Sequence, residues 1–126
     1  IADMKKYTNI TKEGRIILEN VRVAGSFFSR LSGLMMKKSL GGDGGLLLVP
    51  CRQIHTFMMR FPIDAVFLSR EQEIVHIERG LVPGRMTPYV KDAWSVLEAP
   101  AGFAAESRLS VGDRLRFEGR GNPDKR

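Results

Sequence analysis

Residues 63–77, Ile-Asp-Ala-Val-Phe-Leu-Ser-Arg-Glu-Gln-Glu-Ile-Val-His-Ile, decide the fold of this chain. Two apolar runs, Ile63 to Leu68 and Ile74 to Ile77, flank five polar residues. This pattern predicts a β-hairpin with a five-residue turn. In the first run, apolar side chains occupy both alternating sets of positions, so both faces of the strand should be buried. The run is therefore predicted to be an interior strand of a sheet.

Other short elements are expected on both sides of this hairpin. β-Branched residues and alternation predict a strand over 15–24, and a short apolar run predicts a buried strand over 46–49. Two later strands are predicted over 95–99 and 114–118, with a short helix between them over 103–108. An amphipathic helix is predicted to follow Ser26, because apolar residues recur at spacings of three and four, namely at Phe27, Leu31, Leu34 and Met35.

These elements together predict an α+β, β-rich fold. The expected form is a small, mostly antiparallel sheet or partly closed barrel, with one amphipathic helix and one short helix. The predicted organisation is an N-terminal extension over 1–14, a single domain over 15–118 and a flexible basic tail over 119–126.

Composition is typical of one soluble domain. The chain has 126 residues, of which 43% are hydrophobic, and no apolar run approaches the roughly 18 residues of a membrane-spanning helix. The single cysteine, Cys51, excludes an intrachain disulfide and a metal site made only of cysteines. Met4-Lys5-Lys6 resembles a natural start, which favours a cytoplasmic location; a leader removed ahead of Ile1 would instead give an exported protein.

The net charge of +6 permits an anionic partner but does not select nucleic acid. Basic residues concentrate only at Lys37-Lys38 and in the tail over 120–126, and aromatic residues do not alternate with them. Nucleic-acid binding is therefore not expected. Nothing along the chain indicates an exposed strand edge, so the oligomeric state is left open.

The stretch from Cys51 to Asp64 is where reactive side chains concentrate. It places a thiol, an imidazole, a hydroxyl, a guanidinium and a carboxylate among large apolar residues. Burying such groups without partners costs several kcal/mol, so the stretch is either a satisfied polar cluster or a binding site. The simplest role for Asp64 is to accept hydrogen bonds from Arg60, Thr56 or a backbone amide.

The order of these residues resembles a family of unknown function, domain of unknown function 192 (DUF192). The resemblance rests on residues 54–57, 59–64, 66–67, 96–98, 100–102 and 112–113, and on Arg30, Gly33, Leu34 and Met35. It implies a small, β-rich single domain, with no established activity and with secretion leaders in some members. The family pattern tends to have a glycine between Phe57 and Met59, where this chain has Met58. Met58 would then either block a close backbone approach or line the site.

The favoured function is binding of a small polar or anionic ligand, or of a peptide, in a cleft near this stretch. The Arg60 guanidinium would pair with a carboxylate or phosphate, and His55 would titrate near neutral pH. The predicted ligand-binding residues are His55, Thr56, Met59, Arg60 and Asp64, with Phe57 as a wall.

Two alternatives remain open at this stage. In the first, the protein is a hydrolase or lyase that uses His55 as general acid/base, with Asp64 fixing the tautomer of His55. In the second, Cys51, His55 and Met58 or Met59 hold a soft metal such as monovalent copper. Whether the protein is an enzyme stays open, and the sequence indicates no cofactor.

Three residues outside the stretch complete the set of candidates. Glu98 and Asp113 are expected to be structural acids that bond to the backbone. Trp94 is expected to pack in the core or at its rim, with stacking against a ligand as the alternative.

Overall fold

The computed structural model describes residues 6–25 and 44–119. Within these residues the chain forms seven strands and one short helix, α1 (Phe103–Glu106). The strands are β1 (Lys6–Lys12), β2 (Arg15–Gly25), β3 (Gly45–Val49), β4 (Ile63–Leu68), β5 (Ile74–Leu81), β6 (Ser95–Pro100) and β7 (Arg116–Gly119). The β-rich prediction is therefore confirmed. The predicted amphipathic helix after Ser26 lies outside the described residues.

The strands form one mixed sheet in the order β5-β4-β6-β3-β2-β1-β7. All neighbouring pairs are antiparallel except β2 and β3, which are parallel. The first strand of the hairpin, β4, pairs with β5 on one side and β6 on the other, and all six of its residues are buried. It is the interior strand that its apolar pattern predicts.

The sheet curls so that its two ends meet without closing into a ladder. The segment before β7 bonds to the start of β5, where the Leu115 amide donates to the Gln72 carbonyl at 3.0 Å and the Ile74 amide donates to the Asp113 carbonyl at 2.8 Å. A single bridge joins Glu73 and Arg114. The result is a partly closed barrel, because the turn after β4 is held against the segment that leads into β7.

Two apolar clusters lie on opposite faces of the sheet, as alternation along β6 illustrates. Leu97 belongs to the first cluster, inside the curl, while Val96 belongs to the second. Since side chains alternate along a strand, Glu98 shares the face of Val96. The second cluster also contains Cys51, Ile54 and Met59 from the stretch before β4.

The strand β1 lies within the segment that the sequence assigns to an N-terminal extension. It pairs with β2 on one side and with β7 on the other. Its buried positions include Thr8 and Thr11 beside Ile10, so polar residues occupy sites that hydropathy alone would not mark as core. Among the described residues, no helix has the length and apolar character needed to cross a membrane.

Candidate functional site

Thr56 joins the stretch before β4 to the loop after β5. It is fully buried. Its hydroxyl donates to the Val82 carbonyl at 2.7 Å and accepts from the Arg85 amide at 2.9 Å. Its own amide donates to the Arg85 carbonyl at 2.8 Å, and its carbonyl accepts from the Gly84 amide at 2.9 Å. Thr56 therefore fixes residues 82–85 against residues 51–61.

His55 lies at the surface of this junction. It forms a backbone bridge with Met86, and its ring stacks on Phe57 with centroids 4.7 Å apart. The Phe57 amide donates to Nδ1 of His55 at 3.2 Å. Because Nδ1 accepts that proton, the neutral ring carries its own proton on Nε2, and no partner of Nε2 is found among residues 6–25 and 44–119.

The two methionines of the stretch face opposite environments. Met59 is buried in the second apolar cluster, whereas Met58 is 67% exposed. Met58 also adopts a φ of 70°, in the left-handed region that glycine occupies at little cost. A glycine at this position of the family pattern is thus explained by backbone conformation.

We expect the Met58→Gly variant to be more stable than the wild type by about 0.5–1 kcal/mol. Removing the Cβ removes roughly 1–2 kcal/mol of strain from the left-handed backbone of the folded state. Glycine also gives the unfolded chain more conformational freedom, which lowers the gain in stability by about 0.5–1 kcal/mol. Urea unfolding followed by the fluorescence of Trp94, the only tryptophan, measures the change. Met86→Gly is the matched control, because Met86 is also exposed and has no positive φ; it should lose stability. Equal losses in both variants would contradict the explanation.

Asp64 is buried and bonds only to backbone amides in the described structure. Its Oδ1 accepts from Gly80 at 2.8 Å, and its Oδ2 accepts from Gly102 at 3.2 Å and from Ala104 at 2.8 Å. The sequence-based expectation that a backbone amide satisfies this carboxylate is met three times over. These bonds join β5 and the first turn of α1 to β4, and none of them involves His55 or Arg60.

The structure thus divides the predicted site residues into two groups. His55, Thr56 and the exposed Arg60 belong to the surface segment, with Thr56 underneath it. Met59 and Asp64 are buried, Met59 in the apolar cluster below the segment and Asp64 in its network of amides.

Large apolar side chains are exposed around the Thr56 junction. Their exposed fractions lie between 44% and 67%, and the residues are Phe57, Met58, Val82, Met86 and Tyr89. Residues 51–61 and 82–91 also carry Arg52, Arg60, Arg85 and Lys91 and contain no Asp or Glu. We call these two segments, with the side chains just named, the junction surface. It is both apolar and basic.

The structure also reveals a feature that the sequence did not predict, a buried carboxyl group at Glu98 that has no partner among residues 6–25 and 44–119. Its side chain is fully buried, and neither oxygen has a hydrogen-bond partner in the described part of the chain. The expectation that Glu98 bonds to the backbone is wrong, because its neighbours across the sheet, Leu46 and Ala65, use their amides and carbonyls in the ladders. By contrast, Asp113 accepts from the Ser110 amide at 2.9 Å, as expected.

Burial raises the pKa values of two groups in this region, the Glu98 carboxyl group and the Cys51 thiol. Desolvation raises the pKa of Glu98 to about 8. Burial also raises the pKa of the Cys51 thiol, and the nearby Glu98 carboxylate adds to the increase. The thiol donates to the Gln53 carbonyl at 3.3 Å. Near neutral pH, Glu98 is therefore protonated in the folded protein and Cys51 is a thiol, a poor nucleophile.

The described residues contain no group of three or more His, Cys, Asp or Glu side chains that could hold a metal ion. The soft ligands of the stretch do not converge either: Cys51 and Met59 are buried in the second cluster, while Met58 is exposed.

The fold and the junction define a small, β-rich domain built on one curled sheet. The model of the DUF192 family, described as "Uncharacterized ACR", matches residues 8–117. The chain therefore belongs to this family.

Individual relatives are consistent with that assignment. A UPF0127 protein of Pyrococcus furiosus is 33% identical over 86% of this chain and 95% of its own length. A solved protein of unknown function from Novosphingobium aromaticivorans has a TM-score of 0.74 and 20% identity, covering 92% of this chain and 88% of its own. A second, from Sinorhizobium meliloti and described as a candidate transcription regulator, has a TM-score of 0.72 and 24% identity, covering 93% and 96%. At these identities the two structures show the fold alone.

Proposed function

We propose that this domain binds a short acidic, partly apolar peptide segment on the junction surface. The observation that carries the proposal is the concentration of exposed apolar side chains there, on two segments that Thr56 holds together. Exposed apolar patches of this kind on a small domain are typical of interaction surfaces.

Charge selects the peptide over an uncharged apolar partner. Residues 51–61 and 82–91 contain four basic residues and no acid. Arg52 shares a groove with Glu71 and Asp92, so Arg60 and Arg85 are the cations that the proposal uses. In the described part of the chain, the ion pairs are Lys12 with Asp113 and His76 with Glu78. Arg60 and Arg85 are exposed and so are available to bind carboxylates. A guanidinium can donate two parallel hydrogen bonds to one carboxylate.

Each predicted residue has a defined part in this proposal. Phe57 and Met86 provide apolar contact, and His55 offers its Nε2 as a donor to the peptide. Arg60 pairs with an acidic side chain. Thr56 positions both segments from below, and Asp64 and Met59 act only by stabilising the fold.

Selection from a phage-displayed random peptide library on the wild-type domain tests the proposal. We expect the selected peptides to combine Asp or Glu with apolar residues. A selected peptide, synthesised with a fluorescent label, should bind the Phe57→Ser and Arg60→Glu variants at least about tenfold more weakly, since central aromatic and arginine contacts each contribute about 2 kcal/mol or more.

Ile16→Ser is the matched control, because Ile16 is exposed on β2, outside the junction surface; binding should be unchanged. Circular dichroism confirms that each variant is folded. Peptides without acidic residues, or equal binding by all variants, would overturn the proposal. Sedimentation that shows self-association, abolished by Phe57→Ser, would also overturn it, because a second copy would then be the occupant.

A further inference from the structure

A cavity of about 340 Å³ lies on the other face of the sheet from the junction surface. Its apolar walls belong to the first cluster, inside the curl, and are formed by Val23, Leu47, Val49 and Phe117. The cavity lies where the two ends of the sheet approach each other, between β1, β2, β3 and β7 on one side and the turn after β4 on the other. Its volume is within the range of roughly 300–1,000 Å³ that small-molecule sites occupy.

Polar groups in the cavity wall come from the turn after β4, from β1 and from β6. They are Thr8, Ser69, Arg70, Gln72 and Ser95. Arg70 is the one charged side chain among the lining residues. Its guanidinium lies over the indole of Trp94, 3.8 Å from the ring centroid.

The Arg70 charge has no carboxylate partner in the described residues, where the ion pairs lie elsewhere. Stacking on Trp94 holds the guanidinium by one face and leaves its N–H groups, which lie in the plane, free to donate. The adjoining groove shares Ser69, Arg70 and Trp94 with the cavity and also contains Arg52, Glu71 and Asp92. Arg70 is thus a fixed cationic donor at the boundary between an apolar cavity and a polar groove.

The geometry points to a second binding site in this cavity, for a small monocarboxylate with an apolar chain. The chain would fill the space between Leu47, Val49 and Phe117, and the carboxylate would pair with Arg70, with Ser69 as a further donor. An uncharged amphiphile would gain no ion pair from the exposed Arg70, and a cationic one would be repelled by it. None of the lining residues belongs to residues 51–61 or 82–91, although the Arg52 guanidinium of the junction surface lies 5.8 Å from the centroid of the Trp94 ring.

Titration with octanoate, 1-octanol and octylammonium, below their micelle concentrations, tests this inference. Isothermal titration calorimetry gives the affinity, and Trp94 fluorescence reports binding at the cavity, because Trp94 lines it. We expect saturable octanoate binding several-fold tighter than that of 1-octanol, since an ion pair at an exposed arginine adds up to about 1 kcal/mol. Octylammonium should bind least well.

Arg70→Gln should weaken octanoate binding several-fold, to the level of 1-octanol, and leave 1-octanol binding unchanged. Arg15→Gln, at an exposed residue of β2 that does not line the cavity, is the matched control and should bind octanoate like the wild type. Val49→Phe tests the apolar part separately, because the larger ring would occupy the cavity and reduce binding of both octanoate and 1-octanol. Absence of saturable binding to the folded wild type, or equal affinity for octanoate and 1-octanol, would overturn the inference.

Discussion

The Asp64→Ala variant is expected to lose about 3–5 kcal/mol of unfolding free energy. The buried carboxylate accepts hydrogen bonds from three amides, of Gly80, Gly102 and Ala104. Hydrogen bonds to a charged group contribute about 1.5–3 kcal/mol each, and an amide left unpaired in the interior costs about 1–3 kcal/mol. Water can reach Gly80 and Gly102, which are exposed, but not the fully buried Ala104, so the loss should be below the sum of the three.

The position of Asp64 in the sheet adds to this effect. The pairing of β4 with β5 is irregular between Ile63 and Ala65, and the Gly80 amide bonds to Asp64 there. Gly80 also has a positive φ of 59°. The carboxylate therefore stabilises an irregular stretch of β5 as well as the start of α1.

Urea unfolding, monitored by Trp94 fluorescence, compares Asp64→Ala with Arg60→Ala. Arg60 is exposed, so its truncation should change the unfolding free energy by less than about 0.5 kcal/mol. Asp92→Asn, at an exposed loop acid, is a control for the loss of one negative charge. If Asp64→Ala and Arg60→Ala were equally stable, the three hydrogen bonds to Asp64 would not contribute the expected stability.

The hairpin could be predicted because the residues that determine it are adjacent in the sequence. The β4 strand begins and ends at the predicted residues, Ile63 and Leu68, since its apolar run is bounded by Pro62 and by the polar turn. The β5 strand is longer than predicted and continues to Leu81. Glu78 and Gly80, near its end, are residue types that are depleted in strands. Glu78 is paired with Ala65 of β4, and the Gly80 amide donates to Asp64.

The network around Asp64 was only partly predictable. The sequence indicated that a backbone amide would satisfy the carboxylate, but the donors lie 16, 38 and 40 residues further along the chain. Only the tertiary fold brings them to β4. The β1 strand was missed for a different reason, because threonines occupy two of its buried positions.

At Met58, the resemblance to the family indicated an unusual position that the composition of the chain did not. From the resemblance alone, Met58 in place of the family glycine is expected either to block a close backbone approach or to line the site. The φ of 70° supplies another cause, because a left-handed residue favours glycine even at an exposed position.

The stability of the domain is expected to decrease between about pH 5 and pH 8 because of Glu98. Its pKa is about 8 in the folded state, against an ordinary value of 4.5. Between these values the folded protein retains a proton that the unfolded chain has released, so stability falls by up to about 1.4 kcal/mol per pH unit. The contribution is fully present below pH 4.5 and is lost as the pH rises through about 8, and the part lost between pH 5 and pH 8 is about 3.5 kcal/mol.

Glu98→Gln isolates this effect, because every other titratable group is present in both proteins. The difference in unfolding free energy between variant and wild type should be small at pH 5 and should increase by about 3.5 kcal/mol in favour of the variant at pH 8. Glu98→Met should show the same trend with a larger gain, since it also removes the unpaired polar atoms. A difference that stayed constant from pH 5 to pH 8 would mean that Glu98 finds a partner or water in solution. The carboxylate would then be a satisfied structural group and not a source of pH-dependent instability at the centre of the sheet.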